Sequence, residues 1–185
     1  SSPPVLPRRR SLGAHRVRRV LVPVTLATLL IVAIQLSVLS SLRFAGVVVM
    51  LVWLWPLAMG MAGMTALALW SAVVAGVFFD THATTPFGLT AVVAILLAYG
   101  ASRLGREGVG DLDSAAWWVT PLIAAGAGFV APLLFVGASF FTLNFSLWRD
   151  SLVAAMVVNA VAFFLLARPM TRLARWVGNF GGSRR

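Results

Sequence analysis

The chain has 185 residues, of which 60% are hydrophobic and only 11% are charged, and its mean hydropathy is +0.94. A globular domain has about 25% charged residues, so the composition excludes a water-soluble fold and predicts an all-α integral membrane protein. The 15 basic residues, all of them arginine, outnumber the 5 acidic ones. In a membrane protein this excess is typical of cytoplasmic loops and of contact with anionic lipid, and it does not indicate binding to nucleic acid. The absence of cysteine excludes disulfides, thiolate metal sites and a cysteine nucleophile.

The apolar segments predict six transmembrane helices, since a bilayer core of about 30 Å requires about 20 apolar residues in a helix. The stretch 44–79 would be about 54 Å long as one helix, which is too long for one crossing. Pro56, Gly60 and Gly63 favour a break within it, near residues 59–62. The predicted spans are 20–42, 44–59, 61–79, 87–104, 115–141 and 147–167.

The arginines predict the orientation of these spans. With the N-terminus in the cytoplasm, thirteen arginines fall on the cytoplasmic side, and only Arg43 and Arg149 fall outside. Cytoplasmic loops carry such an excess of positive charge. Six spans with both termini in the cytoplasm are therefore predicted.

Both ends of the chain are basic and are predicted to lie against anionic lipid. Residues 1–19 contain three prolines and six arginines, which predicts a disordered arm that serves as a topology signal or as a docking arm for a cytoplasmic partner. In the tail 168–185, apolar residues recur at helical spacing and predict a short amphipathic helix in the headgroup region. These residues are Leu173, Trp176, Val177 and Phe180.

A stripe of small residues lies in the third predicted span. Ala68, Ala72, Gly76 and Asp80 are spaced by four, so they share one helix face, and small residues let another helix approach closely. The stripe serves either internal packing of the bundle or contact with a partner. Asp80 either caps a turn or contacts another helix or subunit.

The sequence predicts structural roles for other polar and aromatic side chains. Gln35 and Asn159 are each predicted to make an interhelical hydrogen bond, and Ala124 with Gly128 predicts close packing in the fifth span. Tryptophans near span ends are predicted interface anchors, and the deeper ones are predicted packing residues. The anchors are Trp117, Trp118 and Trp148, and the packing residues are Trp53, Trp55 and Trp70.

The sequence indicates a protein that is not an enzyme. His82 falls in a predicted outer loop and His15 in the basic arm, so neither can act as a base for an intramembrane serine. His82 with Asp80 would give two metal ligands, too few for a structural zinc site. No metal site or cofactor is predicted.

The segment 71–103, SAVVAGVFFDTHATTPFGLTAVVAILLAYGASR, resembles the MreD family of rod shape-determining membrane proteins. In that family a helix ends in a Gly-x-x-x-Asp pattern and is followed by a turn. A Pro-x-Gly step then begins the next helix, which leads to an aromatic–small pair and a basic end. The matching positions are Gly76, Asp80, Pro86, Gly88, Tyr99, Gly100 and Arg103.

The resemblance implies a multi-pass subunit of the cell-elongation machinery in the bacterial cytoplasmic membrane. Proteins of this family work with MreC, a bitopic membrane protein, in a complex with cytoplasmic MreB filaments, the RodA glycosyltransferase and its partner transpeptidase. The implied role is to hold MreC and to couple the filaments to peptidoglycan synthesis. The implied fold is similar to that of the six-helix substrate-binding subunits of energy-coupling-factor transporters.

A second hypothesis is that the chain is itself such a vitamin-binding subunit. Those subunits typically carry an Ala-x-x-x-Ala contact on their first helix, whereas Ala27 and Ala33 are six residues apart here. The first hypothesis is therefore preferred.

Overall fold

The computed structural model of the chain describes residues 11–39, 41, 47–82, 86–104, 117–140 and 152–179. These ranges are helical apart from short connections and contain no β-strand. In chain order the helices are α1 (Ser11–Ile34), which continues as a π-helical turn over Gln35–Leu39, α2 (Leu51–Met61), α3 (Thr65–His82), α4 (Leu89–Arg103), α5 (Val119–Phe140) and α6 (Leu152–Asn179).

Four helices contain a stretch that is long and apolar enough to cross a bilayer. These stretches are Val20–Val38, Thr65–His82, Val119–Ser139 and Leu152–Asn179. The helices α2 and α4 are shorter but also apolar. Within the described ranges, the chain is thus all-helical in the manner of a membrane protein, as its composition predicts.

Close contacts identify the helix ends that lie together. A Cβ placed on Gly60, near the end of α2, would lie 2.6 Å from the carbonyl oxygen of Ala98, near the end of α4. Gly178, near the end of α6, lies against the sulfur of Met64, in the connection between α2 and α3. The ends of α2, α4 and α6 therefore share one end of the bundle with the start of α3. We call it the basic end, because α4 and α6 carry their arginines there.

Helix α2 forms the centre of the bundle. All eleven of its residues are buried, and it packs against each of the other five helices. A helix that is apolar on every side is buried on every side. At about 16 Å it is only about half as long as the hydrocarbon core is thick.

The start of α2 differs from the predicted span 44–59. The helix begins only at Leu51, and residues 48–50 before it are not helical, while 44–46 lie outside the described residues. Hydropathy could not reveal this difference, because the non-helical residues are as apolar as the helix. Such backbone is tolerated at membrane depth only where protein satisfies its polar groups.

The connection between α2 and α3 confirms the predicted break in the apolar stretch. The N–H of Gly63 donates to the carbonyl of Gly60, and the N–H of Met64 donates to that of Met59. With Gly63 at φ 79°, this pattern is a Schellman motif, in which glycine adopts the left-handed conformation without strain. The break falls at residues 62–64, just after the predicted 59–62.

The two terminal helices are longer than predicted. Helix α6 continues through Pro169 to Asn179, so 168–179 is not a separate amphipathic helix. Pro169 lies on the exposed side of α6, so its ring does not pack into the bundle. Leu165, whose carbonyl loses its helical N–H partner at this proline, is exposed as well. Helix α1 begins at Ser11, so residues 11–19 of the predicted disordered arm are helical, while 1–10 lie outside the described residues. The alanine, leucine and arginines of this segment favour helix.

The predicted amphipathic face of 168–185 is divided between the two surfaces of α6. Val177 is buried in the core, whereas Leu173 and Trp176 are exposed, and Phe180 lies outside the described residues. Ala174 and Thr171 supply the remaining buried positions of this segment. The C-terminal part of α6 is therefore a packed part of the bundle.

Two threonines of α1 accept hydrogen bonds from tryptophans of neighbouring helices. The indole N–H of Trp55 in α2 donates to Thr28 Oγ1 at 3.0 Å, and that of Trp70 in α3 donates to Thr25 Oγ1 at 3.0 Å. Trp55 is fully buried, as predicted for a packing residue, but Trp70 is 44% exposed. The two bonds are thus alike in length but differ in burial.

This difference predicts unequal effects of two identical substitutions. Thr28→Val leaves a buried indole N–H without an acceptor and is expected to lower the free energy of unfolding by about 1 kcal/mol. Thr25→Val is expected to have a smaller effect, because the exposed indole of Trp70 lies within two turns of the start of α3, where its N–H can turn toward headgroups or water. Unfolding of the purified protein in detergent, followed by circular dichroism, measures both. Equal losses would contradict the expected dependence on burial.

Candidate functional site: the α3–α4 hairpin and the amide pair at α2

The small-residue stripe of α3 faces the interior of the bundle. Ala68 and Ala72 are fully buried, and Gly76 and Asp80 are buried beyond them. A Cβ on Gly76 would overlap the backbone of Ala91 in α4 and lie 2.5 Å from its Cβ. Of the two roles predicted for the stripe, the structure places it in internal packing.

Asp80 connects the end of α3 to the beginning of α4. Its carboxylate accepts a hydrogen bond from the backbone N–H of Thr90 at 3.1 Å, and Asp80 is only 4% exposed. The first N–H groups of a helix have no intrahelical partner, and a negative charge is favourable at this end of the helix dipole. Asp80 therefore caps α4 from a neighbouring helix, which combines its two predicted roles within one chain.

Pro86 and Gly88 form the turn into α4. The N–H of Leu89 donates to the carbonyl of Pro86 at 3.2 Å, and Gly88 has φ 88° and ψ −11°. These angles match the third position of a type II turn, which requires a positive φ. Gly88 is the N-cap of α4 and lies just before the helix, whereas the predicted span 87–104 includes it. Residues 83–85 of the turn lie outside the described residues.

The remaining motif residues lie on the outer surface of α4. Tyr99 is 45% exposed, Arg103 is exposed, and a Cβ on Gly100 would meet no atom within 4 Å. Arg103 Nε donates to Tyr99 Oη at 3.0 Å, and its guanidinium carbon lies 5.4 Å from the centroid of that ring. The motif is thus divided between an internal part on the α3–α4 contact and an external part at the basic end of α4.

A second polar group, which we call the amide pair, consists of Gln35 and Asn159. Gln35 Oε1 accepts from the N–H of Leu51 at 2.8 Å, and its Nε2 donates to the carbonyl of Val49 at 2.9 Å. Asn159 Oδ1 accepts from the N–H of Met50 at 2.9 Å. The predicted interhelical hydrogen bonds are confirmed. Their partners are mainly backbone groups at the start of α2, and Gln35 Nε2 also lies 3.9 Å from Met50 Sδ.

Close packing of α5 on α6 places Asn159. A Cβ on Gly128 would lie 2.6 Å from the carbonyl oxygen of Asn159 and 2.9 Å from Phe163. Ala124 is fully buried on the same helix. The predicted close packing of the fifth span is therefore present, and it holds α6 against the rest of the bundle. On α2, Trp53 packs against Phe135 of α5 with ring centroids 5.6 Å apart.

A metal site and the His82 ring are the candidates for catalytic chemistry that the described part of the chain can be checked for. No group of three or more histidine, cysteine, aspartate or glutamate side chains that could hold a metal lies within it. The His82 ring is exposed at the end of α3, with Nδ1 2.9 Å from the Phe78 carbonyl oxygen. The same nitrogen lies 2.9 Å from Thr81 Oγ1, whose hydroxyl donates to the Phe78 carbonyl. These contacts are made within the last turn of α3, at an exposed helix end.

The comparisons with known proteins identify no relative of this chain. No family model, no curated protein and no solved structure matches it.

Proposed function

We propose that the chain is a non-enzymatic, six-span membrane subunit of the bacterial cell-elongation complex, similar to MreD. The observation that carries this proposal is the α3–α4 hairpin. Three of its motif residues have roles that few other residue types could fill. Gly76 lets two backbones meet, Asp80 caps α4, and Gly88 adopts a positive φ. A motif with these structural constraints is what a shared fold would preserve.

The proposed topology has six crossings with both termini in the cytoplasm. Two of the crossings are short, since α2 and α4 contain 11 and 15 residues. The enclosure of α2 by other helices supports a short crossing, because its ends need not reach the lipid headgroups. The arginine distribution supports a cytoplasmic basic end in the bacterial cytoplasmic membrane.

The proposed partner is an MreC-like bitopic protein, whose transmembrane helix would pack on the outer surface of α4. Tyr99, Gly100 and Arg103 support this position, because Tyr99 and Arg103 are exposed and a Cβ on Gly100 would meet no atom within 4 Å. A glycine on a lipid-facing helix allows the backbone of a second helix to approach closely. Through this partner the chain would link cytoplasmic MreB filaments to peptidoglycan synthesis outside the membrane, which RodA and its partner transpeptidase carry out.

Substitution of Gly100, where a Cβ would meet no atom within 4 Å, tests the proposed surface. Gly100→Leu is expected to reduce co-purification with the MreC-like partner about fivefold, since packing of transmembrane helices contributes roughly 1 kcal/mol per contact. Gly126→Leu is the matched control, because a Cβ on Gly126 in α5 also meets no atom within 4 Å. The measurement is the amount of partner recovered per amount of full-length protein after affinity purification from membranes.

Three results would count against the proposal. Equal recovery with both variants would exclude the outer surface of α4 as the contact. Failure of the unmodified chain to retain an MreC-like protein would contradict the assignment to the elongation complex. Saturable binding of a vitamin to the purified chain would instead support the energy-coupling-factor alternative.

A further inference from the structure

The outward face of α6 changes from apolar to basic along its length. The N-terminal half of this face has exposed apolar side chains one turn apart, 51–75% exposed. These side chains are Val153, Val157, Val161 and Leu165. The same face then carries arginines at spacings of four and three, which keep them on one side of the helix. These arginines are Arg168, Arg172 and Arg175.

Arg168 is held against the start of α5. Its guanidinium donates to the backbone carbonyl of Trp117, and its central carbon lies 5.2 Å from the centroid of the indole ring. The carbonyl is available because the residue four positions later is Pro121, which has no N–H to donate to it. Arg168 and Trp117 therefore form a fixed unit that joins α5 to α6 at the basic end.

Arg172 lies one turn beyond this unit. It is exposed, and within the described ranges it has no hydrogen bond or ion pair. Asp80 is the one acidic residue in those ranges, and it lies at the opposite end of the bundle, against the start of α4. Arg172 is thus an exposed arginine one turn beyond Arg168 on the same face of α6, which is apolar toward the bilayer centre.

We propose that this face binds an anionic phospholipid. The lipid phosphate lies between Arg168 and Arg172, because guanidinium groups donate paired hydrogen bonds to phosphate oxygens. The exposed indoles of Trp117 and Trp176, 70% and 61% exposed, lie at the level of the glycerol and headgroup. The acyl chains lie along the apolar face that ends at Leu165. Basic surfaces between transmembrane helices bind such headgroups.

Lipid titration of the full-length protein in detergent tests this site. Phosphatidylglycerol and phosphatidylcholine are added separately, and the bound lipid is counted by native mass spectrometry. Phosphatidylglycerol is expected to bind saturably and more tightly than phosphatidylcholine. Arg172→Gln is expected to weaken phosphatidylglycerol binding about fivefold, as for the loss of one arginine near an anionic surface. Arg172→Lys, which retains the charge, is expected to retain most of the affinity.

A charge-matched control distinguishes this site from general attraction. Arg103→Gln removes one exposed arginine from α4 at the same end and is expected to leave phosphatidylglycerol binding unchanged. Circular dichroism of each variant establishes that its helices are intact, which is expected for Arg172 because the described contacts do not include it.

Several outcomes would overturn the proposal. Equal loss in Arg103→Gln and Arg172→Gln would reduce the effect to net charge. Unchanged binding in Arg172→Gln would mean that the protein itself neutralises this arginine. Equal binding of phosphatidylcholine would exclude a headgroup site. Displacement of the lipid by millimolar inorganic phosphate would identify the ligand as a free anion.

Discussion

Gly76→Ala is expected to lower the free energy of unfolding by about 2–3 kcal/mol, the cost of adding volume to a closely packed core. The added methyl group would overlap the backbone of Ala91, and backbone cannot move aside as the end of a flexible side chain can. Separation of α3 from α4 would also lengthen the hydrogen bond from Thr90 to Asp80. One methyl group therefore disturbs both the packing of the hairpin and the cap of α4.

Gly100→Ala provides the control for this prediction. Its Cβ meets no atom, and alanine is favoured over glycine by up to about 1 kcal/mol within a helix, so this variant is expected to be as stable as the unmodified chain or more stable. Thermal unfolding in detergent, followed by circular dichroism, compares the two variants. If Gly76→Ala unfolded at the same temperature as the unmodified protein, this would contradict the close contact of α3 with α4 at Gly76.

Loss of the amide pair is the second large expected effect. Gln35→Leu and Asn159→Leu each leave one buried backbone N–H at the start of α2 without its acceptor, at a cost of about 1–3 kcal/mol. The two N–H groups belong to adjacent residues, Met50 and Leu51. Once one bond is lost the segment can shift, so the double variant is expected to lose less than the sum of the single losses.

Ser71→Ala is the matched control for the amide pair. Ser71 is also fully buried, but its hydroxyl donates to the carbonyl of Ala68 within its own helix, so its removal leaves no interhelical group unsatisfied. Its free energy of unfolding is expected to remain close to that of the unmodified protein. The same detergent unfolding measurement applies to all four variants. Strict additivity of the two amide substitutions would contradict a shared role at the start of α2.

The α3–α4 hairpin could be predicted well from the sequence. Its helix bounds differ from the predicted spans by a few residues, and the spacing by four already placed Ala72, Gly76 and Asp80 on one face. Local patterns suffice here because the constraints are local, namely a turn with Pro86 and Gly88, and small residues at helical spacing. The identity of the residue opposite Gly76 could not be predicted, since it depends on how two helices pack.

The beginning of α2 could not be predicted, because an apolar sequence has the same hydropathy in helical and non-helical backbone. The signal was present elsewhere, in the two amides that apolar helices rarely contain. The sequence predicts that Gln35 and Asn159 form hydrogen bonds. Their partners include backbone groups of Val49 and Met50, and no sequence pattern marks those residues. Likewise, the predicted sixth span ends at residue 167, just before Pro169, whereas packing of Ala174 and Val177 continues α6 past that proline.

The burial of α2 has a consequence for how the protein is made. Met50 and its acceptor Asn159 are 109 residues apart in the chain. The start of α2 therefore leaves the ribosome long before α6, which carries the acceptor for the Met50 N–H. Until then, water or the insertion machinery must solvate the amide of Met50, because lipid cannot. Integration of α6 therefore completes the hydrogen bonding at the start of α2. A nascent chain that stops before residue 152 would keep this polar backbone open and become a target for membrane quality control.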